Sequence, residues 1–200
     1  MSLRWGYSTP IAVLAPVSTV TEAVASALAG AALVDVGEDD TLILQIREAV
    51  PEVGICGHGV GADIVHDATL AARAGAGLIC RDPGTAATAV QRGIAPERIL
   101  LATAPDDVAE ASRSGWAALV TLDGGTLDQG TLDQGTGSLA RAEAIAAVCA
   151  WTGAKVIRTR PVAEIRRCLD MTESILGLRR PAWTLRGLAQ PQGPSHGARP

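Results

Sequence analysis

Apolar residues along this chain alternate between two periodicities. Short, near-continuous apolar runs occur at residues 11–15, 32–36, 53–56, 77–80, 98–102, 117–122 and 155–159. Such runs are what strands show when both faces of a parallel sheet are covered. The segments between them carry apolar residues at spacings of three and four, the period of an amphipathic helix. Ser18 or Thr19 opens the first helix, with Glu22 placed for a capping box, and Gly30 stops it. Further helices are predicted over 41–49 (closed by Pro51), 62–74, 83–93, 105–115 and 140–151. Thr152-Gly153 ends the last of these, since glycine tolerates the left-handed conformation at a helix end. A final helix begins at Pro161, whose missing N–H costs nothing there. It carries Val162, Ile165, Leu169, Thr172 and Leu176 on one stripe.

Strand–helix units of about 20–25 residues repeated in series predict an α/β protein with a parallel sheet. Seven such units point to a TIM-like (β/α) barrel that is incomplete by one strand. An open doubly wound sheet is the alternative that counting leaves in place.

Composition narrows the function classes. Hydrophobic residues make up 48% of the chain and charged residues 19%, so a sizeable core can be buried. The apolar fraction is mostly Ala, Val, Leu and Ile, with no Phe and one Tyr, which suits helices packed closely on a parallel sheet. A net charge of −4 argues against nucleic acid as a partner. No apolar run reaches the ~18–20 residues of a membrane span. The N-terminus shows no basic start followed by an apolar stretch, so no signal peptide is expected and the setting reads as cytoplasmic. Cys56, Cys80, Cys149 and Cys168 form no C-x-x-C pair and read as reduced core thiols. After Gly177 the chain carries four Arg, no acid and several Pro. Residues 1–177 are therefore expected to form the domain and 178–200 a basic, Pro/Gly-rich tail, with Trp183 and Leu185 as its anchor.

The last unit carries a resemblance. Gly137-Ser138-Leu139-Ala140 opens a helix, Gly153-Ala154 follows it, and the next strand ends Ile157-Arg158-Thr159-Arg160-Pro161-Val162. This order resembles the C-terminal end of dihydropteroate synthase, the pterin-binding enzyme family of folate synthesis. There a G-S-L-A helix leads through G-A to a last barrel strand ending I-R-V-H-D-V. Residues 61–82 resemble that family's third helix and fourth strand, and residues 91–105 the segment leading into its sixth strand. Only residues 83–92 lie between, where the family has a further strand and a long helix. The resemblance, which spans about 11–177, implies a shortened member with the fifth strand unit deleted.

The resemblance also implies a chemistry to test position by position. The family joins a pterin methyl pyrophosphate to p-aminobenzoate and releases pyrophosphate. Carboxylate and amide groups hold the pterin edge, a lysine lies beside the ring, and Mg²⁺ with arginine neutralises the leaving group. An asparagine after strand one helps hold the metal; this chain has Ala15-Pro16-Val17-Ser18. The G-G-E-S-T-R-P loop is replaced by Gly37-Glu38-Asp39-Asp40-Thr41. The strand-three acid is absent from Cys56-Gly57-His58-Gly59, and the acid of D-P-G from Ala102-Thr103-Ala104-Pro105. The lysine of S-R-K is absent from Thr121-Leu122-Asp123-Gly124-Gly125. Strand four, where the family reads I-N-D, ends Ile79-Cys80-Arg81-Asp82.

Four candidate ligand-binding residues remain: Asp35, Asp82, Arg158 and Arg160. Asp35 either faces a polar cavity or is satisfied by nearby loop amides. Asp82, just before Pro83, either reaches a ligand or caps a helix. Arg158 and Arg160 lie two apart on a strand and face one side. They would clasp a phosphate or carboxylate, or else pair with Asp35 or Glu38. Cys56, His58 and Cys80 make a thin case for zinc, and no metal ligand is assigned. His66 is placed inside the 62–74 helix, at the surface. Gly135-Thr136-Gly137-Ser138 would fit a phosphate cradle, while the tandem repeat over 125–134 reads as polar loop filler.

The functional expectation is a dihydropteroate-synthase-like protein without synthase activity. It would bind a pterin-like or phosphate-containing small molecule, or a protein partner, at the barrel mouth. The alternative is an active pterin transferase or another phosphate-binding TIM-barrel enzyme. Mg²⁺ is expected only together with pyrophosphate. The resemblance implies a homodimer through the last helices; the stripe over 162–176 would serve that or pack on the barrel, and the sequence does not decide between them.

Overall fold

The computed structural model describes residues 4–6, 9–122 and 136–179. Eight parallel strands close into a barrel in chain order. They are β1 (Ala12–Pro16), β2 (Leu33–Asp35), β3 (Gly54–Gly57), β4 (Ile64–Val65), β5 (Gly77–Cys80), β6 (Ile99–Thr103), β7 (Ala117–Thr121) and β8 (Ala154–Arg158). The helices are α1 (Val20–Leu28), α2 (Thr41–Ala49), α3 (Ala68–Ala74), α4 (Pro83–Gln91), α5 (Val108–Arg113), α6 (Thr136–Thr152) and α7 (Val162–Ile175). The TIM-like barrel is confirmed and the open sheet excluded: β8 pairs with β1, Val13 opposite Ile157. Among these residues no helix is long and apolar enough to cross a membrane.

The local signals act as expected where they are strong. Thr19 caps α1 by accepting from Glu22 N, and the Glu22 carboxylate accepts from Ser18 N, one residue ahead of the cap, a shifted form of the expected capping box. Gly153 takes φ +114° directly after α6, the left-handed turn expected there.

The strand count needs correction. The barrel has all eight strands, so no strand unit is deleted. The missed strand is β4, read in the sequence as part of a 62–74 helix. What is short is the crossover from β3 to β4, residues 58–63, which carries no helix. Parallel neighbours normally need a dozen or more connecting residues. Asp63 makes the short return hold. Its N–H donates to Ile55 O at 2.8 Å, and its carboxylate accepts from Ile55 N at 2.8 Å and Arg47 Nη2 at 2.9 Å. Its carbonyl accepts from Gly77 N at 2.7 Å. One residue thus stitches β3, β5 and α2 around the start of β4.

Two apolar layers follow from strand alternation. Leu14, Leu33, Cys56, Ile64, Ile79, Leu100, Leu119 and Val156 fill the barrel interior. Val13, Val34, Ile55, Leu78, Leu101, Val120 and Ile157 face the helices, where Ile46, Ile165 and Leu169 are fully buried. Trp5 packs against the inner layer, with its backbone N–H on Glu97 O at 2.7 Å. The strands' C-terminal ends form the opposite mouth.

The α7 stripe is spent on this packing: Ile165, Leu169 and Thr172 are buried against the barrel. A polar clamp accompanies it. Glu173, 1% exposed, accepts from Ile11 N at 2.5 Å and from Arg166 Nη2 at 2.7 Å. Arg166 also donates to Ile11 O at 2.6 Å. The pair fastens α7 to the chain entering β1, beside the β8–β1 seam.

Candidate functional site at the barrel mouth

Alternation places Asp35 on the same face as Leu33, and Arg158 on the same face as Val156, so both point toward the barrel axis at the mouth. There they meet. Arg158 Nε donates to Asp35 Oδ2 at 2.9 Å, while Asp35 Oδ1 accepts from Gly37 N at 3.0 Å. Both of the satisfying partners considered for Asp35, a loop amide and a cation, are therefore present. The pair is semi-buried, the side chains 11% exposed for Asp35 and 29% for Arg158.

Arg160 is exposed and reaches the same cleft as Arg158. That cleft, of about 490 Å³, is lined by Pro16, Ser18, Asp35, Gly37, Arg158 and Arg160 among others. Asp82 sits elsewhere on the rim and acts as the cap of α4. Its two carboxylate oxygens accept from Thr85 N at 2.8 Å and Thr85 Oγ1 at 2.7 Å. These hydrogen bonds hold its carboxyl below the usual range.

A second group of side chains adjoins the ion pair. Cys56 points inward from β3 and is fully buried. Its Sγ lies 3.7 Å from His66 Nε2, and the His66 ring stacks on His58 with centroids 4.7 Å apart. Ligand atoms of Asp35, Cys56 and His66 all lie within 4.8 Å of one another. His66 is thus not in a helix; it follows β4 and lies at the mouth. Cys80 belongs to the outer layer facing the helices, so it does not join Cys56. Burial pushes the Cys56 thiol well above its ordinary value, with Asp35 adding to the shift and Arg158 opposing it. Burial also lowers His66, reinforced by His58 and partly offset by Asp35, so its imidazole favours the neutral form.

Two features escaped the sequence reading. His66 was hidden by the missed strand. Arg81 continues β5 on the face of Ile79, and its charge bears on His66; the same parity argument would have found it. The Gly135–Ser138 cradle, the repeat over 125–134 and the Trp183–Leu185 anchor fall outside the described residues or side chains.

The strand ends offer little else. The chain's single lysine, Lys155, lies at the start of β8, at the far end of the barrel from the mouth, in a cleft with Trp5, Trp116 and Trp151. No lysine can therefore stand beside a ring bound at the mouth. Where the family motif places its metal-holding asparagine, β1 ends in Ala15 and Pro16, whose side chains have no oxygen donor. The residues present do not fit a protein-held Mg²⁺ at that corner.

Comparison with known proteins agrees with this geometry. No family model matches the chain. The curated inactive dihydropteroate synthase 2 of Mycobacterium tuberculosis is 31% identical over 186 aligned residues, covering 64% of this chain and 57% of the relative. The Mycobacterium bovis protein of the same name gives the same values. The chain thus spans little more than half the length of these relatives. Among solved structures, Mycobacterium tuberculosis Rv1207 superposes with a TM-score of 0.68 at 23% identity, covering 89% of this chain and 98% of that one. The dihydropteroate synthase of Yersinia pestis gives a TM-score of 0.71 at 16% identity, covering 88% and 100%. That of Xanthomonas albilineans, solved with 4-aminobenzoic acid, gives 0.72 at 14%, covering 88% and 99%. The barrel, the G-S-L-A…I-R unit and these relatives converge: this chain has the fold of the dihydropteroate synthases and is similar, over part of its length, to the inactive mycobacterial proteins.

Proposed function

We propose that this protein no longer performs the synthase reaction and instead binds an anionic small molecule, pterin-like or phosphate-bearing, at the barrel mouth. The observation that carries this is the cleft lined by both Arg158 and Arg160, in a mouth that has no lysine and no oxygen ligand at the end of β1. Arg158 is already neutralised by Asp35, which fixes its position. Arg160 supplies the second cation, and guanidinium forks suit phosphate and carboxylate oxygens. The name of the curated mycobacterial relative, an inactive synthase, supports the loss of turnover. The four free thiols fit a reducing, cytoplasmic setting.

Calorimetric titration tests the reading. Pyrophosphate and a pterin methyl pyrophosphate, each with Mg²⁺, are expected to bind. The Arg160→Ala variant is expected to weaken both by about tenfold or more, the worth of a charge-assisted hydrogen bond. With p-aminobenzoate added, no dihydropteroate is expected. Product formation would overturn the loss of activity; absence of heat from both ligands would overturn the binding site.

A further inference from the structure

We infer that Asp35, Cys56 and His66 form a site for a borderline-soft divalent transition metal of the zinc type. The site does not depend on the anion-binding reading above. Its geometry is the first argument. A tetrahedral ion about 2.3 Å from a thiolate sulfur and about 2.0–2.1 Å from an imidazole nitrogen holds those two atoms about 3.6 Å apart. Cys56 Sγ and His66 Nε2 stand 3.7 Å apart. An Asp35 carboxylate oxygen completes the set inside a 4.8 Å envelope.

The surroundings are the second argument. Metal-ligating side chains are normally oriented by partners of their own. Asp35 is gripped on one oxygen by Arg158 Nε and on the other by Gly37 N, and each carboxylate oxygen retains a lone pair. The His66 ring is held by the stacked His58 ring, 18° from parallel. The stacking keeps His58 from aiming a nitrogen at the same point, so it acts as a positioning residue.

Charge is the third. On binding, Cys56 gives up its thiol proton to solvent, and the thiolate and the Asp35 carboxylate, which Arg158 shares, offset part of the dication's charge; His66 ligates as the neutral imidazole. One sulfur, one nitrogen and one oxygen favour zinc or cobalt over Mg²⁺ or Ca²⁺, which prefer all-oxygen sets. Three protein ligands leave the fourth position for water or an anion at the mouth.

Cobalt(II) is the probe. Titration of the full chain, with Mg²⁺ present in excess, is expected to give a thiolate-to-cobalt charge-transfer band and four-coordinate ligand-field bands that saturate at one equivalent. Zn²⁺ should displace them. Cys56→Ser should abolish the charge-transfer band, and His66→Gln should weaken binding by about a hundredfold. Cys80→Ser, in the outer layer, should change nothing. Absence of the band in the wild-type protein, or its survival in Cys56→Ser, would overturn the site. Should Cys56→Ser fail to fold, the exposed His66→Gln decides: undiminished affinity there overturns it as well.

Discussion

At the scale of single residues, the mouth is governed by what Asp35 needs. A carboxylate with an 11% exposed side chain among strand apolars must be paired, and it takes one cation and one amide. Arg158→Ala is therefore expected to cost about 1–3 kcal/mol, because it leaves Asp35 without its charged partner. Urea denaturation reads this directly; an unchanged midpoint would show that the pair contributes nothing. His66 sets a pH dependence. Its folded value lies below the ordinary 6.5, so as pH falls below 6.5 the unfolded chain protonates first. Stability is fully present above that value and declines as pH drops toward the folded value. Asp35, His58, Arg81 and Arg158 are the charged and titratable groups acting on it. Between pH 7 and pH 5, the urea midpoint of His66→Gln is expected to fall less than that of the wild type. How legible this site was depended on pairing. Asp35 and Arg158 announce themselves as charges inside apolar strands. That they contact each other follows only from closure of β8 onto β1, the neighbour of β2, which no local pattern encodes.

At the scale of elements, the sequence marked every strand except β4. Ile64–Val65 is two residues long and lies between Ala62 and the alanine-rich segment 68–74, whose composition favours helix. A stop signal was nonetheless present, because Asp67 accepts from Leu70 N and caps α3, which cannot then begin at Ala62. The short β3–β4 return rests on backbone freedom at Gly61, with φ +103°. Gly61→Ala places a side chain in a conformation it resists and is expected to cost about 1–2 kcal/mol. The α7 clamp is under heavier demand. Glu173→Ala strips the buried acceptor from Arg166 and from Ile11 N, and is expected to cost about 3–5 kcal/mol. A loss below 1 kcal/mol in equilibrium unfolding, on the scale of an exposed pair, would refute the clamp.

At the scale of the whole molecule, the last two helices have one face committed and one bare. The stripe of Ile165, Leu169 and Thr172, which the sequence offered equally to a dimer or to the barrel, is buried in the barrel. Opposite it, Val148 and Trp151 on α6 and Met171 and Ile175 on α7 are each 61–66% exposed. α6 and α7 pack against each other, Cys168 Sγ donating to Glu143 O across them at 3.2 Å. Four large apolar side chains on adjoining helices are more than the scattered exposure normal for a surface. A closed barrel has no open strand edge through which copies could pair, so self-association falls to a helical face such as this one. We propose that two copies pair through it, related by a two-fold axis, as an isologous contact requires. Sedimentation of the full chain is expected to show a dimer, and Trp151→Glu or Met171→Glu is expected to give a folded monomer with an unchanged urea midpoint at low protein concentration. A wild-type protein that stays monomeric at high concentration would refute the pairing. A dimer that survives both substitutions would move the interface to another face.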